Sequence, residues 1–339
     1  MSRGEVAIAY AFTLAILSIS FIILIIFLVF VYRRQLTQSD EALAPIKHCV
    51  QAYPFNGVDA ATDRFHPRRV IRKGRLGTTY MAVLDSGELV AAKRIHPWLV
   101  LSSAGIGFSS RVKSLSFGQH PHVVSILGFS EAPGERIIIM EFVGAMNLDF
   151  YLHENVSLQL DWGRRLRIAA GVARGLEYLH EKRVPRVVHG CVKPSNVLID
   201  VKFCARLCDY GLSFLAPQEK VGLVGYVDEE YWKESGGRGR DDGASKESDV
   251  FGFGVVVLEL LTGRRSEEGL LIEWALPLIK ERKLSEVLDP RVVIPKKLKP
   301  LARLAKVASA CVANSRKSRP SISHITPILN DLEMELCLS

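Results

Sequence analysis

Cysteine has the widest choice of chemistry of any residue type in this sequence, because a thiolate can act as a nucleophile or a metal ligand, and paired thiols form disulfides. The six cysteines are Cys49, Cys191, Cys204, Cys208, Cys311 and Cys337. They lie too far apart in so long a chain for a disulfide framework, which favours a reducing compartment. Cys204 and Cys208 have the close spacing of zinc ligands, but no second Cys or His pair follows at ligand spacing. A zinc site there is therefore disfavoured.

Cys191 lies in the stretch VVHGCVKPSNVLID. A catalytic thiol needs a base beside it and a third group that orients the base. No His and acid pair stands at such a spacing from Cys191, and its neighbours do not obviously lower the pKa of the thiol. A small, half-buried side chain is the favoured interpretation, and a nucleophile or redox switch is the alternative.

The charge balance indicates anionic neighbours. The formal net charge is +8 and the isoelectric point is about 9.2, which suits a membrane leaflet, nucleotide phosphates or nucleic acid. The basic residues are scattered, aromatic residues make up only 8% of the chain, and no nucleic-acid recognition motif is visible. We therefore predict no nucleic-acid partner.

The first element along the chain is the run over residues 6–32, VAIAYAFTLAILSISFIILIIFLVFVY, which carries no charge. At about 1.5 Å per residue, a helix of this length covers the roughly 30 Å hydrocarbon core of a bilayer. The run leads directly into Arg33 and Arg34, without the cleavage site of a secretory signal. We predict one retained transmembrane helix, no ectodomain before it and a cytosolic C-terminal bulk. A buried core helix is the alternative.

After the apolar run the chain divides into a linker and a folded part. Residues 33–54 are polar and mixed and are predicted to form a juxtamembrane linker. Runs such as LVAAKRI and ERIIIMEFV follow, separated by turn signals, and they predict a small sheet. From Leu160 onward, apolar residues recur at steps of three and four, which is typical of helices.

The motifs FNGVDAATDRF, VAAK, HGCVKPSN, DYG, SDVFGFGVVVLELLTG and RKSRPSI follow one another along the chain. The series resembles that of plant receptor-like protein kinases over roughly residues 55–335. The resemblance implies an α+β, two-lobed protein kinase fold, preceded here by one transmembrane helix. The β-rich N-lobe is expected at about residues 55–143 and the helical C-lobe at about residues 144–335. Activity does not follow from this, because fold and chemistry are separable claims.

The resemblance implies ATP and Mg²⁺ as ligands and leaves open whether either binds. Lys93 matches the strand lysine that contacts phosphate, and Asn196 and Asp209 match the two metal ligands. Lys193 matches the lysine of the catalytic loop. The positions that match the family's nucleotide contacts are Gly74, Gly77, Ala91, Lys93, Met140, Glu141, Val143 and Leu198. The alternative for Lys93 is an exposed edge lysine.

The position of the family's catalytic aspartate is Cys191, so no catalytic residue is assigned. An ordinary thiol with a pKa near 8.5 is mostly neutral at pH 7, and loss of a positioned base lowers a rate by about 10² to 10⁴. Gly190 replaces the arginine that would hold a phosphorylated activation loop. Leu223 stands where the family usually has threonine.

The family's helix glutamate falls on Arg111, which reverses a charge. Two cations about 4 Å apart repel by roughly 4 kcal/mol at an effective dielectric constant of 20. Arg111 is therefore expected to face solvent or another acid such as Asp209, unless the register of the match is in error. In the glycine loop Arg72 replaces the first glycine and Thr79 the usual valine. That loop is weakened but keeps charge that could attract phosphate.

Structural features of the family persist. An apolar column through both lobes is predicted from Ile126, Leu115, Tyr210 and His189 to Asp249. An ion pair between Glu230 and Arg319 is predicted to support the lower lobe.

These features favour a membrane-tethered pseudokinase at the plasma membrane that acts by binding a protein, in particular an active receptor-like kinase. Two alternatives remain open. One is a weakly active serine/threonine kinase that uses Lys93, Asn196 and Asp209 without a conventional base. The other is a nucleotide-responsive switch without turnover.

Overall fold

The structure is a computed structural model that describes residues 50–101, 107–144, 146–155, 159–216, 222–235, 243–266 and 269–337. The predicted transmembrane helix over residues 6–32 and the predicted linker up to residue 49 lie outside the described residues. Across the described ranges, no helix combines the length and the apolar character that a membrane crossing requires.

The first lobe is built on a six-stranded sheet with the strand order β1-β5-β6-β4-β3-β2. Its strands are β1 (Gln51–Ala52), β2 (Val70–Gly74), β3 (Gly77–Val83), β4 (Leu89–Ile95), β5 (Ile126–Ala132) and β6 (Glu135–Glu141). β1 pairs with β5 in parallel, and the other neighbouring strands are antiparallel. The sheet therefore begins at Gln51, within the stretch predicted as linker.

Helices of the first lobe are α1 (Phe55–Ala61), α2 (Pro97–Leu101) and α3 (Phe108–Leu115), with a 3-10 helix at Pro67–Arg69. In α3, Phe108, Val112 and Leu115 are buried, at steps of four and three residues. This spacing puts them on one face of the helix, toward the sheet. Arg111 consequently lies on the exposed face.

The second lobe is mostly helical, as predicted. Its helices are α4 (Trp162–Glu177), α5 (Glu229–Ser235), α6 (Lys246–Thr262), α7 (Leu270–Lys280), α8 (Leu284–Val287), α9 (Lys299–Cys311) and α10 (Ile322–Cys337). A small sheet of β7 (Met146–Asn147), β8 (Val197–Ile199) and β9 (Ala205–Leu207) lies at its cleft side. Short turns of 3-10 or π helix cover Phe150–Glu154, Tyr178–Lys182, Pro194–Asn196, Ser213–Leu215 and Arg316–Ser318.

Helix α6 forms the centre of this lobe. Ser245 and Ser248 form a capping box at its start, since each hydroxyl accepts the backbone N–H of the other residue. Nearly every later side chain of the helix is buried, which explains why its sequence is apolar on all faces. Gly263 ends the helix with φ at 66°, a left-handed conformation that glycine adopts without strain.

Candidate functional site

An apolar cavity lies between the first lobe's sheet and β8. Ala91 from β4, Met140 and Glu141 at the end of β6, Val143 and Leu198 all line it. The structure thus brings together five of the positions predicted to contact a nucleotide. Further lining residues are Ile71, Arg72, Thr79, Val124, Phe142, Met146, Asn147 and Cys208. Glu141 also accepts the backbone N–H of Ser125 at 2.6 Å and pairs with Arg206, which fixes its carboxylate.

A polar cavity adjoins the apolar one and contains the residues predicted for phosphate and metal. Gly74, Cys191, Lys193, Asn196 and Asp209 are among its lining residues. The amine of Lys193 donates to the backbone carbonyl of Gly222 at 2.8 Å.

The structure places the two predicted loop glycines differently. Gly74 lines the polar cavity, and a Cβ added there would meet no atom closer than 3.8 Å. Gly77 is not a lining residue of either cavity. A Cβ at Gly77 would lie 2.0 Å from the carbonyl oxygen of Arg94. The close approach of β3 to β4 therefore accounts for glycine at this position.

The strand lysine is paired with the predicted metal-ligand aspartate. Lys93 Nζ lies 2.5 Å from Asp209 Oδ2, and both side chains are at least nine-tenths buried. Burial lowers the pKa of Lys93, and contact with the carboxylate opposes that change. Burial alone would raise the pKa of Asp209, but Lys93 and Arg72 outweigh it and hold this pKa well below its ordinary value. Asp209 is therefore an ionised carboxylate, and the reading of Lys93 as an exposed edge lysine is excluded.

Arg72 reaches from β2 across the cleft. Its Nη2 lies 3.0 Å from Asp209 Oδ2, and its Nη1 donates to the backbone carbonyl of Ser195 at 2.6 Å and to Asn196 Oδ1 at 3.4 Å. Burial lowers the pKa of Arg72, but its contacts with Cys208 and the Asp209 carboxylate raise it more, so the guanidinium stays charged. The sequence identifies Arg72 only as the residue at the first glycine position of the glycine loop. These contacts across the cleft were not predicted, and a cation inside that loop was the available signal.

Both predicted metal ligands are thus engaged by Arg72. The guanidinium contacts Asn196 Oδ1 and Asp209 Oδ2, one candidate metal-ligand oxygen from each residue, while Asp209 Oδ1 is buried without a hydrogen-bond partner among the described residues. A divalent cation and a guanidinium cannot share the same two oxygens without strong repulsion. Asn196 is further fixed because its amide nitrogen donates to the carbonyl of Cys191 at 3.0 Å. Because Arg72 takes one oxygen of each residue and Asp209 Oδ1 is buried, these residues do not form a Mg²⁺ site as arranged here.

Arg111 does not approach Asp209, which was one of its two expected destinations. It is exposed, and its guanidinium carbon lies 4.5 Å from the centre of the Phe214 ring. Such a cation–π contact at an exposed site contributes about 0.5–1 kcal/mol. The prediction that Arg111 faces solvent rather than Lys93 agrees with this position.

The cleft, its strand lysine and the helical lobe below it are the parts of a protein kinase domain. Residues 65–329 match the family of protein tyrosine and serine/threonine kinases. The chain belongs to this family. It is 34% identical over 275 residues to the Arabidopsis thaliana serine/threonine-protein kinase-like protein CCR2, covering 80% of this chain and 33% of that protein. It is 33% identical over 298 residues to the Arabidopsis thaliana proline-rich receptor-like protein kinase PERK1, covering 82% and 44%.

The chain thus spans less than half the length of these two curated relatives. Among solved structures, it is similar to the pseudokinase domain of BIR2, described as an immune regulator of the RLK/Pelle family. The TM-score is 0.68 at 28% sequence identity, and the match covers 86% of this chain and 92% of that one. The expected two-lobed kinase fold is confirmed.

Cys191, at the position predicted to correspond to the family's catalytic aspartate, is buried among apolar side chains. It packs with Leu223, Val227 and Tyr231, and burial raises the pKa of its thiol. A neutral thiol in apolar contact is neither a good proton acceptor nor a reactive nucleophile. The geometry therefore favours the reading of Cys191 as a packed side chain over that of a nucleophile or redox switch.

The predicted apolar column of the kinase fold is assembled. Leu115, Ile126, Tyr210, His189 and Asp249 are all buried. The hydroxyl of Tyr210 donates to the carbonyl of Leu115 at 3.4 Å. The Asp249 carboxylate accepts the backbone N–H groups of His189 at 2.6 Å and of the following glycine at 2.8 Å. The scaffold around the cleft is thus retained.

The predicted ion pair between Glu230 and Arg319 is not formed in this kinase domain. Arg319 pairs instead with Asp228, which also accepts from Arg316 Nε at 2.9 Å. Asp228 precedes α5 and accepts the backbone N–H of Tyr231 at 2.8 Å, so its carboxylate is turned inward. The Glu230 side chain is 43% exposed and lies 3.8 Å from Arg316 Nε.

Proposed function

We propose that this protein is a receptor-like pseudokinase, held at the plasma membrane by the helix predicted over residues 6–32. Its cytosolic kinase domain regulates an active receptor-like kinase by binding to it and does not transfer phosphate itself. The observation that carries the proposal is the contact of Arg72 with Asn196 and Asp209, because a guanidinium occupies one oxygen of each residue predicted to bind the metal ion.

A second observation supports the absence of turnover. The catalytic aspartate is replaced by Cys191, whose buried thiol is neutral. Loss of a positioned base lowers the rate by about 10² to 10⁴. The missing base affects removal of the proton from the attacking hydroxyl, whereas the occupied metal-ligand positions affect neutralisation of the phosphate charge. Neither defect therefore compensates for the other.

A protein-binding role is supported by what the domain retains. The buried column and the two lobes keep the shape of a kinase, although Cys191 and Arg72 disturb the positions that phosphate transfer would use. The similarity to a structure described as a pseudokinase domain from an immune regulator favours the same kind of role here. We propose an active receptor-like kinase as the binding partner, because such a kinase has a domain of the same family and lies at the same membrane.

Weak kinase activity is the rival function. The contact of 2.5 Å between Lys93 and Asp209 keeps two parts of the phosphate-transfer machinery together, and Lys193 faces the same cavity. Positioning and electrostatics supply much of the rate in this chemistry. If Arg72 moved away, these residues could support slow transfer.

Phosphate transfer by the purified full-length chain tests the proposal. We expect incorporation of radiolabelled phosphate from ATP into the chain and into a generic protein substrate to equal that of the Lys93→Ala variant. An active receptor-like kinase domain, assayed in parallel, controls for the assay. Native transfer at least about tenfold above Lys93→Ala, equivalent to about 1.4 kcal/mol in the barrier, would establish the weak kinase instead.

Membrane anchoring is tested by fractionation of cells that express the full chain. We expect the protein in the membrane fraction after alkaline extraction, because a helix spanning the hydrocarbon core is not released by loss of surface charge. A variant that lacks residues 6–32 serves as the control and should be extracted into the supernatant. Recovery of both proteins in the supernatant would contradict the anchoring.

A further inference from the structure

We infer that Arg72 supplies, within the chain, the positive charge that a metal ion would bring, so that the cleft binds a nucleoside di- or triphosphate in its metal-free form and Mg²⁺ weakens this binding. The inference rests on the proposed function, because the same contacts of Arg72 underlie both. It adds binding of a metal-free nucleotide, which the family resemblance does not imply.

The position of Arg72 is the first argument. Arg72 lines both the apolar cavity and the polar cavity. It therefore lies at the junction between the cavity that suits a nucleobase and the cavity that suits its phosphates. A guanidinium has five N–H donors in a planar fork. The contacts with Ser195, Asn196 and Asp209 use three of them. The side chain is 18% exposed and therefore remains accessible to an anion in the cleft.

The charge of the polar cavity is the second argument. Its charged lining residues are Arg72, Lys73, Arg75, Lys193, Asp149, Glu154 and Asp209. Two of the three carboxylates are already paired, Asp149 with Arg265 at 3.0 Å and Asp209 with Lys93 and Arg72. Since Cys191 and Arg111 replace two acids of the family pattern, the cavity has lost carboxylates that would attract a cation. The remaining charges favour an anion.

Competition for the same oxygens is the third argument. Mg²⁺ could reach Asn196 Oδ1 and Asp209 Oδ2 only after Arg72 had left them. The Asp209 carboxylate would exchange a guanidinium that is already in place for an ion that must first lose water. Mg²⁺ in solution also binds the phosphates and reduces the charge that Arg72 recognises. Both effects lower the affinity of the cleft for a nucleotide when Mg²⁺ is added.

The apolar cavity determines which anion is bound. Ala91, Met140, Val143 and Leu198 offer an apolar lining with few polar groups, which suits the faces of a nucleobase. Inorganic tripolyphosphate lacks the nucleobase, and adenosine lacks the phosphates. Each fragment should therefore bind more weakly than ADP or ATP.

Calorimetric titration of the full-length chain tests the inference, with ADP and ATP in EDTA and in millimolar Mg²⁺. We expect the native chain to bind ADP and ATP in EDTA, and the dissociation constants to rise about tenfold in Mg²⁺, the scale of one charged hydrogen bond. Adenosine and tripolyphosphate, titrated separately, should bind at least about tenfold more weakly than ADP.

Variants of Arg72 provide the second readout. Arg72→Gly should lose binding in EDTA and bind better in Mg²⁺, whereas Arg72→Lys, which keeps the charge, should retain binding in EDTA. Arg68→Ala is the matched control, because Arg68 is an exposed arginine of the same lobe that is not a lining residue of either cavity, and it should behave as the native chain. If Arg72→Gly fails to fold, the native chain and Arg72→Lys still decide the question.

Three results would overturn the inference: binding by the native chain that requires or improves with Mg²⁺, no nucleotide binding in either buffer, or adenosine binding as tightly as ADP. Any of these without phosphate transfer would leave the proposed function standing. Phosphate transfer by the native chain would instead overturn the proposed function.

Discussion

Replacement of Asp228 by alanine is expected to lower the free energy of unfolding by roughly 3–5 kcal/mol, the usual effect of removing one partner from a buried ion pair. Asp228 is 4% exposed and accepts from Arg316 and Arg319. Burial alone would raise the pKa of Asp228, but its hydrogen bonds with these arginines lower it below the ordinary value. Alanine would leave the two guanidiniums without their shared carboxylate and would remove the cap on the N–H of Tyr231.

Urea denaturation followed by circular dichroism measures this loss, with Glu230→Ala as the matched control. Glu230 belongs to the same helix start but its side chain is 43% exposed, and its contacts with Arg316 are long, 3.8 Å to Nε and 3.5 Å to the backbone N–H, so its loss should cost less than about 1 kcal/mol. An Asp228→Asn variant keeps the cap and removes the charge, and it should fall between the two. A cost for Glu230→Ala as large as that for Asp228→Ala would favour the pairing predicted from the sequence.

The parts of this kinase domain that the sequence predicts correctly are those with local patterns. The step of three and four residues read from Leu160 onward corresponds to α4, in which Leu166, Ala169, Ala173 and Leu176 are buried. Short motifs with fixed internal spacing identify Lys93 and Asp209, and the structure brings these two residues into contact. In each case the pattern is determined by backbone geometry within a few residues.

The contacts that the sequence does not predict are ion pairs between residues far apart along the chain. Arg72 and Asp209 are separated by 137 positions, and Arg319 and Asp228 by 91. Each pairing depends on the rotamer of a long side chain and on which of several nearby carboxylates is turned inward. Glu230 and Asp228 are two residues apart, and the family resemblance favoured Glu230. Capping of α5 by Asp228 decides between them.

Arg72 and Arg111 together change the electrostatics of the cleft. The family resemblance predicts that Arg111 replaces the glutamate partner of Lys93, and in the structure Arg111 lies over Phe214. Lys93 is left with Asp209 as its carboxylate, which it shares with Arg72. One carboxylate therefore neutralises two cations, and a residue predicted to bind a metal ion is the centre of an internal ion cluster.

The triple variant Arg72→Gly, Arg111→Glu, Cys191→Asp is expected to gain phosphate transfer of on the order of 10²-fold or more over the native chain. The first change frees Asn196 and Asp209, the second restores an acid on α3 for Lys93, and the third restores a base, which is worth about 10² to 10⁴ in rate once the rest of the site is in place. Each single change should gain much less, because the parts of a catalytic unit are strongly non-additive. Incorporation of radiolabelled phosphate measures the gain.

Two controls separate this explanation from a general loosening of the domain. The triple variant with Lys93→Ala added should return to background, since Lys93 is the cation that contacts Asp209. A triple variant with Arg72→Lys in place of Arg72→Gly keeps a cation beside Asn196 and Asp209 and should remain near native activity. Full activity from Cys191→Asp alone would show instead that Arg72 leaves those oxygens readily, and that the missing base is the whole reason for inactivity.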